Sequence, residues 1–329
     1  MDLDERAIIE TVFRPLAGKG SLDLRDDAAL LEIPDGFDLV VTTDMIAETV
    51  HFLPGDPPGT IARKALRVNL SDLAAKGARP FAFTLAAGFA TADADWIVAF
   101  AAGLADDCAA YGISLVGGDT IAIRGGAVFS VTALGLVANG AMVHRSGGRA
   151  GDALYVSGEI GGSTAGLALL QGRPGPWGGL AEDARAALVA RYRLPQPRVA
   201  LAGAIAQFAS AAMDVSDGLV GDCDKLAETS ACGAEIDAEC VPLPPSLAAS
   251  RGDAEMMAAL LSGGEDFEIL AAIPPDREAR FRAAAHEAGI PVERIGRLVP
   301  EPGPTRVTLH GKPLAFAQRS FVHAPGAFK

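Results

Sequence analysis

The chain has 329 residues, of which 50% are hydrophobic, 6% aromatic and 21% charged. That composition excludes an intrinsically disordered chain, and the length suits two domains of ordinary size. With 41 acidic against 28 basic residues the net charge is −13, which argues against a nucleic-acid backbone as the main partner.

The longest nearly apolar stretches, 81–90 and 96–105, are about half of the ~20 residues that a membrane-spanning helix needs. The start, Met1-Asp2-Leu3-Asp4-Glu5, is acidic and lacks the basic and apolar regions of a signal peptide, so the expected location is the cytoplasm. Cys108, Cys223, Cys232 and Cys240 form no C-x-x-C pair and are expected as free, partly buried thiols.

In chain order, Ile8, Ile9, Val12, Phe13 and Leu16 make a helical stripe. A strand is expected at 39–43, running into Asp44, then a helix at 60–76, a strand at 81–89 and a helix at 94–110. A short strand at 113–116 should end in Gly117-Gly118-Asp119, followed by a strand at 128–137. The Gly/Arg-rich run 145–152 breaks the pattern and places a domain boundary there. The second half repeats the alternation, with strands at 153–157, 212–215 and 267–273. Its helices are expected at 163–170, 182–192, 199–209 and 219–229. The fold class is therefore α/β (α+β), in two lobes. A Ser-Asp pair near a helix in each half (Ser71-Asp72, Ser216-Asp217), with a later Gly-Gly before an acid, hints at related lobes.

No P-loop, G-x-G-x-x-G, H-E-x-x-H or G-x-S-x-G motif occurs, and the five histidines are scattered. Carboxylates stand out instead: Asp26-Asp27, Asp44 after two threonines, Asp119 after two glycines, and Asp214 and Asp217 around Val215-Ser216. Each alone reads equally as a helix cap or turn residue. As a set, beside hydroxyls, they suit a hard cation such as Mg²⁺, which keeps water and is shared with substrate phosphates. On the helix 60–76, Asn69, Asp72 and Lys76 lie on one side with Ala62 and Ala65, facing either bulk solvent or a wet, charged cleft. Arg145 is either a phosphate contact or a linker arginine.

Seven segments in order resemble the thiamine-monophosphate kinase family of the aminoimidazole-ribonucleotide-synthetase-like superfamily. They are Asp26-Asp27-Ala28-Ala29; Thr42-Thr43-Asp44 with Val50-His51-Phe52; Asn69-Leu70-Ser71-Asp72-Leu73-Ala74-Ala75; Gly117-Gly118-Asp119-Thr120; Arg145-Ser146-Gly147 with Gly151-Asp152; Met213-Asp214-Val215-Ser216-Asp217-Gly218-Leu219; and Ser262-Gly263-Gly264-Glu265-Asp266-Phe267-Glu268. The resemblance implies a two-lobed aminoimidazole-ribonucleotide-synthetase-like fold, with an N-terminal mixed sheet plus helices and a C-terminal α/β lobe. Residues 1–148 would bind ATP and metal and dimerise, and 149–329 would complete the ATP and substrate site. The implied reaction moves the γ-phosphoryl of ATP to thiamine monophosphate, making thiamine diphosphate in a homodimer.

By the same resemblance Asp27, Thr42, Thr43, Asp44, Asp72, Asp119, Asp214 and Asp217 would hold magnesium ions. Gly118, Asp119, Arg145 and Ser216 would contact ATP, and His51, Glu265 and Phe321 the thiamine phosphate, with no side chain acting as catalytic acid or base. The chain departs from the family in having Arg25 where Gly usually precedes the Asp pair, and Phe267 where Tyr is usual. Phe321 stands where Tyr or Trp is common, and reads either as a substrate-contacting ring or as tail packing. Rival readings are another ATP-using synthetase of the superfamily, a metal-dependent phosphohydrolase and a non-catalytic nucleotide-binding subunit. A selenophosphate synthetase is disfavoured because the first cysteine comes only at Cys108.

Overall fold

The computed structural model describes residues 4–90 and 93–321, so the start at Met1-Asp2-Leu3 lies outside it. The chain divides into two compact units, Met1–Leu73 with Ala78–Met142, and Ala74–Gly77 with Val143–Lys329. No helix among the described residues is long and apolar enough to cross a membrane.

The first unit opens with the expected apolar stripe, but as a helix of changing pitch. α1 (Glu5–Ile8) passes into a π turn (Ile9–Phe13) and then a 3₁₀ turn (Arg14–Leu16). Pro15 has no N–H to donate, so the π turn does not continue past it. Four strands follow: β1 (Phe37–Ala47), β2 (Arg79–Phe89), β3 (Ser114–Ala122) and β4 (Val128–Ala138), in the order β1-β4-β2-β3. β4 pairs antiparallel with β1 and β2, while β2 and β3 are parallel, as a crossover through a helix requires.

The two helices of this unit are α2 (Pro58–Ala75) and α3 (Ala94–Tyr111). They meet closely because both carry glycine at the contact: a Cβ on Gly103 would lie 2.3 Å from the Gly59 carbonyl oxygen. The buried Arg67 of α2 then pairs with the buried Asp107 of α3 at 2.7 Å. Phe100 of α3 stacks into the sheet, its ring 4.5 Å from that of Phe129.

β3 differs from the expected short strand, since it continues through Gly117-Gly118-Asp119 to Ala122. A bulge at Val116 shifts its register on β2, and a Cβ on Gly118 would lie only 1.9 Å from the Leu85 carbonyl oxygen. The glycines thus permit a close backbone approach rather than ending the strand.

The second unit runs β5 (Ala153–Ser157), α4 (Gly162–Leu170), α5 (Glu182–Arg193), α6 (Ala202–Phe208), β6 (Ala211–Val215), α7 (Leu219–Thr229) and β7 (Gly233–Asp237). It continues with α8 (Ala254–Ser262), β8 (Glu268–Ile273), α9 (Glu278–Glu287), β9 (Val292–Val299), β10 (Arg306–Leu309) and β11 (Lys312–Pro313). These strands form one mixed sheet, β11-β10-β7-β9-β5-β8-β6. Every residue of β5, β6 and β8 is buried. Alternate residues supply two cores: Leu154, Val156, Met213 and Leu270 pack with α4, α7 and α8, and Ala153, Tyr155, Ala212 and Ile269 pack with α6 and α9. Helices on both faces explain why these strands read as largely apolar runs, interrupted by Asp214 in β6 and Glu268 at the start of β8.

The helix expected at 199–209 splits into a 3₁₀ turn (Val199–Leu201) and α6. The Ser-Asp echo is not positional, because Ser71-Asp72 sit inside α2 whereas Ser216-Asp217 lie in the loop before α7. All four cysteines are free thiols.

Candidate active site

On β1, side chains alternate between two faces, and the candidate ligands divide accordingly. Thr42 and Asp44 share the face that carries α2. The Thr42 hydroxyl donates to the Asp72 carboxylate, and the Asp44 N–H donates to Asn69 Oδ1 at 2.9 Å. Asn69 is fully buried and also donates to the Ala65 carbonyl at 3.0 Å, so it brackets the strand instead of facing a wet cleft. Lys76 falls in the second unit, where its ammonium donates to the Ala212 carbonyl at 2.7 Å.

Thr43 points to the other face of the sheet, its hydroxyl 2.8 Å from that of Thr132. Asp119 shares this face by register, since it aligns with Ala86 and, through it, with Ser130 and Met45. Asp26, Asp27, Gly118 and Asp119 line one cavity of about 350 Å³, with Phe13 and Thr84 in its wall. Asp44, Asp72 and Asp119 sit within elements rather than at their ends, whereas Asp26 and Asp27 lie in a loop. His51 is fixed in the turn after β1: its Nδ1 accepts the Ala47 N–H at 3.1 Å, and its carbonyl accepts the buried Lys64 ammonium at 2.7 Å.

In the second unit Asp214 is buried in β6, and Ser216 and Asp217 occupy the loop that follows. Asp222, in the first turn of α7, accepts the Ser216 and Asp217 N–H groups through one oxygen, each at 3.0 Å. Lys225 reaches Asp217 at 2.6 Å and Asp222 at 2.8 Å. Partial burial works against its charge, but the two carboxylate hydrogen bonds prevail and raise the Lys225 pKa. Asp222 and Lys225 were not among the expected site residues. Their signal is an i, i+3 acid–base pair facing the loop from the helix that starts just after it.

Glu265 and Phe321 both meet this loop through the backbone: the Glu265 N–H donates to the Ser216 carbonyl at 2.7 Å, and the Phe321 N–H to the Asp217 carbonyl at 2.9 Å. The tail carrying Phe321 is pinned by Arg319, which grips Asp224 at 2.7 and 2.9 Å. Gly221 lets it lie on α7, since a Cβ there would come 2.2 Å from Ser320 Cβ. The Phe321 side chain remains 47% exposed. Arg145 is exposed, and its carbonyl accepts the Thr229 and Ser230 hydroxyls at 3.2 and 3.3 Å.

The donor set is carboxylate and hydroxyl oxygen, which fits a hard cation. Among the described residues no three His, Cys, Asp or Glu side chains converge into a ready-made cage. Carboxylate and hydroxyl donors of this kind suit Mg²⁺, which takes few protein ligands and completes its shell with water and phosphate. A larger cavity of about 680 Å³ on β7, β9 and β10 is remote from these groups, and its Arg297 and Arg306 are neutralised by Glu235 at 2.9 and 2.7 Å.

Family models match both halves of the chain: AIR synthase related protein, N-terminal domain, over residues 25–137, and its C-terminal domain over 149–308. A thiamine-monophosphate kinase of Caulobacter vibrioides is 43% identical over 298 residues, covering 88% of this chain and 83% of that protein. The crystal structure of the thiamine-monophosphate kinase from Stenotrophomonas maltophilia K279a superposes with a TM-score of 0.79 at 35% identity, covering 89% of this chain and 91% of that one. A structure of AaThiL complexed with AMPPCP and TMP gives 0.74 at 29% identity over 97% of this chain and 94% of that one. With both halves matched by AIR synthase related models and a curated relative 43% identical over most of its length, the chain belongs to the thiamine-monophosphate kinase family of AIR synthase related proteins.

Proposed function

We propose that this chain transfers the γ-phosphoryl group of ATP to the phosphate of thiamine monophosphate, giving thiamine diphosphate and ADP. One observation carries the reading furthest: the Ser216–Asp217 loop is hydrogen-bonded to both Glu265 and Phe321. Residues expected to touch nucleotide, metal and acceptor therefore meet at one loop. The AaThiL complex, which holds AMPPCP and TMP together, supports the same pair of substrates.

The acceptor needs little activation. A phosphate monoester has its second pKa near ~6 and is mostly ionised at neutral pH, so no strong general base is required. The obstacle is repulsion between two polyanions, which positioning and positive charge overcome. In the first unit Asp27, Thr42, Thr43, Asp44, Asp72 and Asp119 would hold Mg²⁺, and in the second Asp214 and Asp217. When bound, the ions supply charge neutralisation on the phosphates and a template for in-line transfer. Gly118, with no side chain in the way, Asp119, Arg145 and Ser216 would contact ATP. His51, Glu265 and Phe321 would hold thiamine monophosphate, Glu265 by charge and Phe321 by its ring face, both of which attract the cationic thiazolium.

The same reading gives residues 1–148 the metal, ATP and dimerisation roles and 149–329 the completion of the ATP and acceptor sites. Edge strand β1 presents Val41 at 56% and Met45 at 58% exposure, which supports contact with a second copy of the chain. Free thiols throughout support a reducing, cytoplasmic setting.

The test is acceptor dependence. Purified protein with ATP and Mg²⁺ should release ADP when thiamine monophosphate is added, and not when unphosphorylated thiamine replaces it. Equal ADP release without any acceptor would favour a phosphohydrolase and overturn the proposal.

A further inference from the structure

The loop that carries Glu265 is held in an unfavourable backbone conformation. Glu265 has φ 75° and Phe267 has φ 52°, and neither is glycine. Non-glycine residues in the left-handed region carry a conformational penalty, which persists only where surrounding contacts impose it. Asp266 sits between them, buried, with its two carboxylate oxygens accepting the Gly161 N–H at 2.8 Å and the Ser163 N–H at 3.2 Å. Both donors belong to the start of α4, so the carboxylate caps that helix from a distant loop.

The rest of the loop is interlocked with its neighbours. The Glu265 N–H donates to the Ser216 carbonyl at 2.7 Å and the Phe267 N–H to the Val215 carbonyl at 2.8 Å. A Cβ on Gly264 would lie 2.5 Å from the Ser216 carbonyl oxygen, and one on Gly263 would lie 2.1 Å from Thr164 Oγ1. Beyond the loop, the fully buried Glu268 is gripped by Arg198, by Arg191 at 3.1 Å and by the Ser157 hydroxyl at 2.6 Å. Backbone pairing to 215–216 fixes one side of the loop, and Glu268 fixes its exit. Asp266 is the side chain that turns the peptide between them, and so sets the direction in which Glu265 projects.

We propose that Asp266 is a positioning residue for the phosphate acceptor, orienting Glu265 by tying the loop to the first turn of α4. This role rests on Glu265 contacting thiamine monophosphate, as proposed above. Asp266 itself is buried and acts through its neighbour. The consequence is specific: loosening this tie affects acceptor binding before it affects nucleotide binding.

The experiment compares steady-state kinetics of the wild type, Asp266→Asn and Glu265→Gln, each checked for folding by thermal melting. Asparagine keeps the volume and one acceptor oxygen, but sets an N–H₂ group against a backbone N–H. The expected result is a KM for thiamine monophosphate raised roughly tenfold or more in Asp266→Asn, with the KM for ATP within about twofold of wild type. A purely structural role would lower the amount of active enzyme and leave both KM values unchanged, and that outcome overturns the proposal. If Asp266→Asn does not fold, Asp266→Glu, which keeps the charge but lengthens the tie to Gly161 and Ser163 by one methylene, decides by the same KM criterion. A wild-type protein that makes no thiamine diphosphate sinks the function itself. An active wild type whose acceptor KM is unchanged in the folded Asp266 variant sinks only the role of Asp266.

Discussion

Lys225 pairs with Asp217 at 2.6 Å while the same ammonium holds Asp222 at 2.8 Å. Asp222 in turn accepts the backbone N–H groups of Ser216 and Asp217. One turn of α7 therefore sets both the main chain and the side chain of the loop proposed to meet nucleotide and metal.

Lys225→Met should reveal that arrangement. The Lys225–Asp217 pair is partly exposed and contributes at most about 1 kcal/mol to stability, to which loss of the contact with buried Asp222 adds. In a chain of this length each kcal/mol is a melting shift of about 1–2 °C. Turnover should fall more steeply, roughly tenfold, because Asp217 loses its fixed orientation. Unchanged turnover in folded Lys225→Met would show that the pair has no part in the reaction.

Asp44→Asn and Asp217→Asn should each lower turnover by at least about a hundredfold while changing the melting temperature little. Wild-type turnover in either purified variant removes the metal role assigned to that residue.

Chelation should separate activity from folding. Excess EDTA is expected to abolish turnover without changing the circular dichroism spectrum, because the buried cores are built from apolar side chains. Full activity in EDTA would eliminate the metal-bridged mechanism.

Asp266 gives a pH dependence of stability. Burial pushes its carboxyl up to about 7, whereas an unfolded aspartate titrates near ~3.9. Between those values the folded chain binds a proton that the unfolded chain has lost. This group's contribution is therefore complete below pH ~4, declines as the pH rises toward 7 and is lost above it. Thermal melting at pH 5 and 7.5 should show a smaller drop for Asp266→Asn than for wild type; parallel curves would contradict the assignment.

Much of this was legible in the sequence because the elements are strongly periodic. The runs at 153–157 and 219–229 coincide with β5 and α7, where burial on two faces or on one helical stripe leaves a clear pattern. β9 and α9 were not singled out, since β9 carries Glu293, Arg294 and Arg297, and α9 buries only Phe281 and Ala285. The site was legible as a set of residue types but not as geometry. Nothing in the spacing of Gly117-Gly118-Asp119 reveals that Leu85 pairs against Gly118, which keeps β3 intact. Asn69 reads equally as a solvent-facing or a cleft residue, because helical phase gives its side but not its partner, which is the Asp44 N–H on a strand 25 positions away. Asp222 and Lys225 act by turning back on the preceding loop, a contact that only the three-dimensional path of the chain creates.

The most direct test of the central claim is to follow ATP, Mg²⁺ and thiamine monophosphate by ³¹P NMR after adding the purified protein. The account predicts the paired resonances of thiamine diphosphate growing in step with ADP, and none when thiamine replaces its monophosphate. Inorganic phosphate growing instead, with thiamine monophosphate untouched, would contradict it.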